Sequence, residues 1–158
     1  MARLRYLSRD DLPEDYRHLW DKNMGPSGRM SNLFRMLAHS PRMMHQFLRF
    51  GHDVRKRTKL SDRLRELAIC TTCLHTGDTF EFYLHFTNGA REAGITDELI
   101  AGLALFETYP GFTDQIGKIR YATEVTKSVR ASDETFAGIR AFLSEEEIVG
   151  FDALDRLR

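Results

Sequence analysis

Residues 61–98 read SDRLRELAICTTCLHTGDTFEFYLHFTNGAREAGITDE and carry the helix signals on which the predicted fold depends. Ser61 or Asp62 suits a helix N-cap, and the apolar residues that follow have helical spacing. Many helices end at a residue in the left-handed conformation, and Gly77 can adopt this conformation at little steric cost. The stretch therefore begins with a predicted helix over 61–76.

A second helix follows at once, because Asp78 and Glu81 have the D-x-x-E spacing of a capping box. Gly94 is again suited to the end of a helix. The two predicted helices, Ser61–Thr76 and Asp78–Ala93, are so closely connected that they form an antiparallel hairpin. The sequence lacks strand-like alternation over any useful length. It predicts an all-α helical bundle built around this central hairpin.

Helix signals recur along the rest of the chain. They predict helices from Pro13 to about Asn23, from Asn32 to Ala38, from Pro41, from Thr96, from Thr113 to Arg130, from Ser132 to Leu143, and from Ser144 onward. The clearest loop is 23–28, which contains two glycines and a proline. Since no linker, repeat or low-complexity segment divides the sequence, we predict a single domain over 1–158, with 1–30 as an N-terminal helix and loop.

Composition excludes several classes of protein. Hydrophobic residues make up 42% and charged residues 29% of the 158, as in a soluble globular domain. Lys plus Arg and Asp plus Glu both number 23, so the chain lacks the basic excess of a nucleic-acid-binding protein. The apolar runs are too short for a membrane helix, and the first residues lack the apolar core of a secretory signal. Two cysteines cannot form a disulfide framework, so we expect a cytoplasmic protein. From the charge balance and the short apolar runs, we expect neither a nucleic-acid partner nor a membrane partner.

Four segments carry a resemblance to a known superfamily. They are SNLFRMLAHSP at 31–41, RELAI at 65–69, E-x-x-x-H at 81–85 and AREAGITDE at 90–98. In their order and spacing, the segments resemble the carboxymuconolactone decarboxylase and alkyl hydroperoxidase D superfamily over about residues 30–100. The resemblance implies an alkyl hydroperoxidase D-like helical bundle. It also implies a homo-oligomer (a dimer, trimer or hexamer) that acts on a small molecule.

The chain departs from the peroxidase branch of that superfamily. In that branch a Glu on the first helix is followed by C-x-x-C at the start of the second helix and by a His one turn further on. Here Glu66 takes the Glu position and His85 the His position, but Asp78 and Glu81 fall on the two cysteine positions. The resemblance therefore implies the decarboxylase branch. We expect a cofactor-free lyase or isomerase that acts on a small carboxylated or lactone substrate.

Four hairpin residues are candidates for acid–base catalysis: His85, Glu66, Glu81 and Asp78. By the resemblance, His85 gives or takes a proton at the reacting carbon, and Glu66 orients its imidazole. Glu81 lies one turn before His85 on the same helix face. Asp78 and Glu81 suit bases, although the capping box also explains them. The alternative role for Glu66 and His85 is a structural buried pair.

Substrate-binding candidates are less sharply defined. An arginine reads a substrate carboxylate through its fork of donors, and Arg29, Arg35, Arg63 and Arg91 are candidates among which the sequence does not choose. Tyr83 is one of the aromatic residues around His85 that are suited to line an apolar pocket.

Two other functions stay open. Glu66, Cys70 and Cys73 are spaced i, i+4 and i+7, so a thiol oxidoreductase could use the two cysteines, although cysteine is also a common buried residue. The other is a non-catalytic protein that binds a small molecule or serves in assembly. Glu66, Glu81 and His85 offer metal-ligand types, but a single E-x-x-x-H leads us to predict no metal site.

Overall fold

In the computed structural model, which describes residues 3–25 and 28–156, the chain forms nine α-helices. They are α1 (Glu14–Lys22), α2 (Asn32–Leu37), α3 (Pro41–Lys56), α4 (Asp62–Thr76), α5 (Thr79–Leu84), α6 (Asp97–Gly102), α7 (Ile116–Ser128), α8 (Asp133–Arg140) and α9 (Glu145–Arg156). The described residues contain no β-strand, which confirms the all-α prediction. None of the described helices combines the length and the apolar character that crossing a membrane requires.

The chain divides into two compact units, Met1–Asp53 and Val54–Arg158, which we call the N-terminal and C-terminal units. The N-terminal unit has its own apolar core, which includes Trp20, Met30 and Met44. The prediction of one domain over the whole chain stays a prediction.

Helix α4 is the centre of the C-terminal unit. Every residue from 64 to 73 is buried, so this helix has no solvent-facing side in its middle. A helix that is buried all round needs neighbours on every side. Helix α4 packs against α5, against residues His85–Ala90 that follow α5, and against α7 and α9. Apolar residues of α4 contribute to two separate core clusters, one containing Ile69 and the other Leu67.

Local signals set the ends of the hairpin as predicted. The Ser61 hydroxyl accepts a hydrogen bond from the amide of Leu64 (3.2 Å), which caps α4. Gly77 ends α4 with a φ of 73°. The Asp78 carboxylate then accepts from the amide of Glu81 (3.0 Å) and caps α5. Only this half of the predicted capping box forms, because the Asp78 amide donates instead to the carbonyl of Cys73 (3.1 Å).

The second helix of the hairpin differs from the prediction in its middle. It is α-helical only as far as Leu84, and a π-helix follows from His85 to Ala90. A π-helix closes i→i+5 hydrogen bonds, so its turns are wider than those of an α-helix. Here the wide turns lie beside the buried carboxyl group of Glu66, which packs against the backbone at Gly89.

Candidate active site

A buried hydrogen bond joins the two helices of the hairpin. His85 Nδ1 lies 2.7 Å from Glu66 Oε2. Glu66, on α4, is only 5% exposed, whereas 19% of the His85 side-chain surface reaches solvent from the π-helix. Because an ionised carboxylate only accepts hydrogen bonds, Nδ1–H is the donor. In the neutral ring, Nε2 is then the unprotonated nitrogen and is available as a base.

Two further residues hold the Glu66 carboxyl group in place. Arg65 Nε lies 3.5 Å from Glu66 Oε1, and the same guanidinium pairs with Asp62 Oδ1 at 2.7 Å. On the other side, a Cβ placed on Gly89 would lie 2.6 Å from Glu66 Cδ, closer than real Cβ contacts come. The absence of a side chain at position 89 therefore allows the carboxyl group to reach the ring of His85.

The other ring nitrogen of His85 faces a second carboxylate. His85 Nε2 lies 3.8 Å from Glu81 Oε2, one helical turn away, which is too long for a direct hydrogen bond. His85 thus has a close carboxylate at Nδ1 and a more distant one at Nε2. The Asp78 carboxylate caps α5 by accepting a hydrogen bond from the amide of Glu81 (3.0 Å).

The candidate substrate-binding residues of the C-terminal unit take up separate positions. Arg63 donates to the carbonyl of Gly94 (2.8 Å), and Arg91 forms a two-pronged pair with Asp97 (3.2 and 3.0 Å). The structure therefore gives both arginines partners within the fold. Tyr83 is exposed on α5, two residues before His85.

The two cysteines lie in the interior. Cys70 is 0% exposed and belongs to the core cluster of Leu67, whereas Cys73 is 1% exposed and belongs to that of Ile69. The thiol alternative therefore has no exposed thiol through which to act.

Arg29 and Arg35 belong to the N-terminal unit, where both line one cavity. Among the described residues, no group of three or more His, Cys, Asp and Glu side chains has an arrangement suited to a metal ion.

Two features of the site, Gly89 and the contact of Arg65 with Glu66, are not among the residues expected from the sequence. A glycine inside a predicted helix is itself a signal, since it lowers helix stability and often marks a close packing contact. The pairing of Arg65 with Glu66 carries no comparable signal, because neighbouring residues on a helix point in different directions.

A comparison with protein families adds an independent observation. The model of the carboxymuconolactone decarboxylase family matches residues 41–127, more than half of the chain. The chain belongs to this family. The comparison with curated proteins found no match. In this carboxymuconolactone decarboxylase family member, the matched stretch contains Glu66, Glu81 and His85, whereas Arg29 and Arg35 precede it.

Proposed function

We propose that this family member is a cofactor-free lyase of the decarboxylase type that acts on a small carboxylated lactone. The single observation that supports this most strongly is the 2.7 Å hydrogen bond between Glu66 and His85. It fixes an imidazole at one nitrogen and leaves the other nitrogen for proton transfer. Imidazole is the side chain that most readily exchanges protons near neutral pH.

In this proposed reaction, the bond between a ring carbon and its carboxylate breaks and CO₂ leaves. The electron pair of that bond moves into the conjugated lactone carbonyl as an enolate, and a proton then returns to carbon. His85, protonated from solvent, gives that proton through Nε2 while Glu66 holds Nδ1. The positive charge on the ring lies beside the carboxylates of Glu66 and Glu81 before the transfer. The lactone carbonyl takes up the electron pair, so the reaction needs no cofactor.

The experiment measures CO₂ release from a panel of carboxylated lactones and 2-oxo and 3-oxo acids. His85→Ala should lower turnover by about 10²- to 10⁴-fold, the usual contribution of one acid–base group. Glu66→Gln should cost less, since it retains the shape of the side chain. The exposed His52→Ala serves as the matched control and should keep the wild-type rate.

Two results would count against the proposal. A His85→Ala variant that turns over a panel substrate at the wild-type rate would leave His85 as only a structural partner of Glu66. Failure of the wild-type protein to turn over any panel compound would contradict the substrate class and favour a non-catalytic role.

We also propose that the protein assembles as a homo-oligomer through the surface around α5. Phe80 and Tyr83 are each 63% exposed there, and Leu84 is also exposed. Exposed apolar side chains clustered on one short helix favour burial against a second copy. Sedimentation equilibrium should show a dimer, trimer or hexamer at micromolar concentration, and a monomer would contradict the proposal.

A further inference from the structure

The N-terminal unit contains a cavity that the proposed lyase chemistry does not use. Its volume is about 380 Å³, within the range of small-molecule sites. Leu7, Trp20 and Met30 line it, and all three are buried. A cavity with this apolar lining favours a ligand with an apolar body.

Two arginines give the same cavity a positive charge. Arg29 and Arg35 both line it, and no ion pair in the described part of the chain neutralises either of them. Arg35 is held in place, since its Nε donates to the carbonyl of Leu7 (3.1 Å) and its guanidinium lies 4.9 Å from the centre of the Tyr6 ring. Its terminal nitrogens are therefore positioned donors.

Two carboxylates elsewhere in the N-terminal unit have arginine partners of their own. Asp11 pairs with Arg5 (2.7 Å), and Asp21 pairs with Arg9 (2.7 Å). The positive charge at the cavity is thus not offset by these two acids. A negatively charged ligand is the natural partner for such a charge, because a guanidinium binds it through charge-assisted hydrogen bonds.

The remaining polar lining adds an amide. Asn32 provides a donor and an acceptor, whereas the Ser8 hydroxyl already donates to Asp11 (2.8 Å). The lining therefore combines an apolar part, two cations and one neutral amide. A carboxylate on a compact apolar body suits this lining. The guanidinium fork of an arginine fits the two oxygens of the carboxylate, and the apolar body packs against the apolar part.

We propose that the N-terminal unit binds a small organic monocarboxylate in this cavity. Its apolar part packs against Trp20 and Met30, and Arg29 and Arg35 hold its carboxylate. Every residue that lines the cavity belongs to the N-terminal unit, whereas His85 belongs to the C-terminal unit. The binding therefore does not depend on the proposed lyase activity.

Trp20 makes a direct experiment possible, because it is the one tryptophan of the sequence and it lines the cavity. Cyclohexanecarboxylate is titrated into the full chain while tryptophan fluorescence is followed, with the neutral cyclohexanecarboxamide as the comparison ligand. The carboxylate should give a saturable change, and the amide should bind at least tenfold more weakly. Losing one charge-assisted hydrogen bond in Arg29→Gln should weaken carboxylate binding roughly tenfold.

Three variants test whether the carboxylate binds in this cavity and through its arginines. Arg42→Gln removes an exposed arginine of the same unit that does not line the cavity, and it should bind like the wild type. Arg35→Lys keeps the charge but loses the fork, and it should weaken binding. His85→Ala should bind like the wild type.

The proposal is overturned if no saturable change occurs, if acid and amide bind equally, or if Arg29→Gln keeps the wild-type affinity. Equal weakening by Arg42→Gln would show a general charge effect and would also overturn it. Loss of binding in His85→Ala would place the ligand in the C-terminal unit instead. Circular dichroism of each variant confirms that it is folded before it is compared.

Discussion

Gly89→Ala tests how tightly Glu66 is held against the π-helix. The added Cβ would lie 2.6 Å from Glu66 Cδ, so the carboxyl group must shift, and we expect its 2.7 Å hydrogen bond with His85 to break. A hydrogen bond to a charged group contributes about 1.5–3 kcal/mol. Replacing glycine by alanine inside a helix raises the free energy of unfolding by about 0.5–1 kcal/mol. The difference predicts a net loss of about 0.5–2.5 kcal/mol in the free energy of unfolding.

Urea denaturation measures this loss, and two other helical glycines serve as matched controls. A Cβ on Gly117 or Gly138 meets nothing within 4 Å, so alanine at either position should raise stability by about 0.5–1 kcal/mol. The control substitutions therefore change stability in the opposite direction from Gly89→Ala.

A double-mutant cycle with Glu66→Ala assigns the loss to the proposed contact. Once the carboxyl group is removed, alanine at position 89 should no longer destabilise the protein, so the two substitutions should be strongly non-additive. If Gly89→Ala stabilises the protein as Gly138→Ala does, or if the two effects simply add, Glu66 does not occupy the position described.

Three further predictions concern other parts of the C-terminal unit. Because Cys70 and Cys73 are buried, a thiol reagent should modify them only when the protein unfolds, and rapid modification of the folded protein would revive the thiol oxidoreductase alternative. Burial, with a smaller effect of the charge on Lys127, lowers the pKa of His75. The unfolded chain then binds this proton more tightly, so stability should fall as the pH drops below about 6.5, and the fall should be shallower in His75→Gln. Val129 ends α7 with a φ of 59°, which is costly for a β-branched residue, so Val129→Gly should raise the melting temperature, and an unchanged or lower value would contradict this.

The ends of the hairpin could be predicted from the sequence because each depends on a few neighbouring residues. Ser61 has a hydroxyl at the right spacing from the first orphan amides, and Gly77 tolerates a positive φ. The predicted helix start at Ser144 is likewise set locally by a capping box, in which the Ser144 hydroxyl accepts from the Glu147 amide (3.3 Å) and the Glu147 carboxylate accepts from the Ser144 amide (2.9 Å). These local interactions do not depend on the rest of the fold.

The π-helix could not be predicted in this way, because the apolar periodicity of the sequence does not distinguish its six residues from an α-helix. Periodicity alone favours one continuous α-helix over 78–93, and only the buried carboxyl group of Glu66 gives position 89 its importance. The roles of the arginines also depend on tertiary structure. Arg63 and Arg91 have long, flexible side chains, and their partners, the Gly94 carbonyl and Asp97, become apparent only in the folded chain.

Nitrogen NMR of the imidazole rings tests most directly whether Glu66 orients His85. With ¹⁵N-labelled histidine, and with the His85 signal assigned from its loss in His85→Gln, the neutral ring should carry its proton on Nδ1 and leave Nε2 unprotonated. In Glu66→Ala this preference should disappear, since the ring then loses its acceptor at Nδ1. A neutral ring protonated on Nε2 in the wild type, or a spectrum unchanged by Glu66→Ala, would contradict the proposal that Glu66 holds His85 for proton transfer.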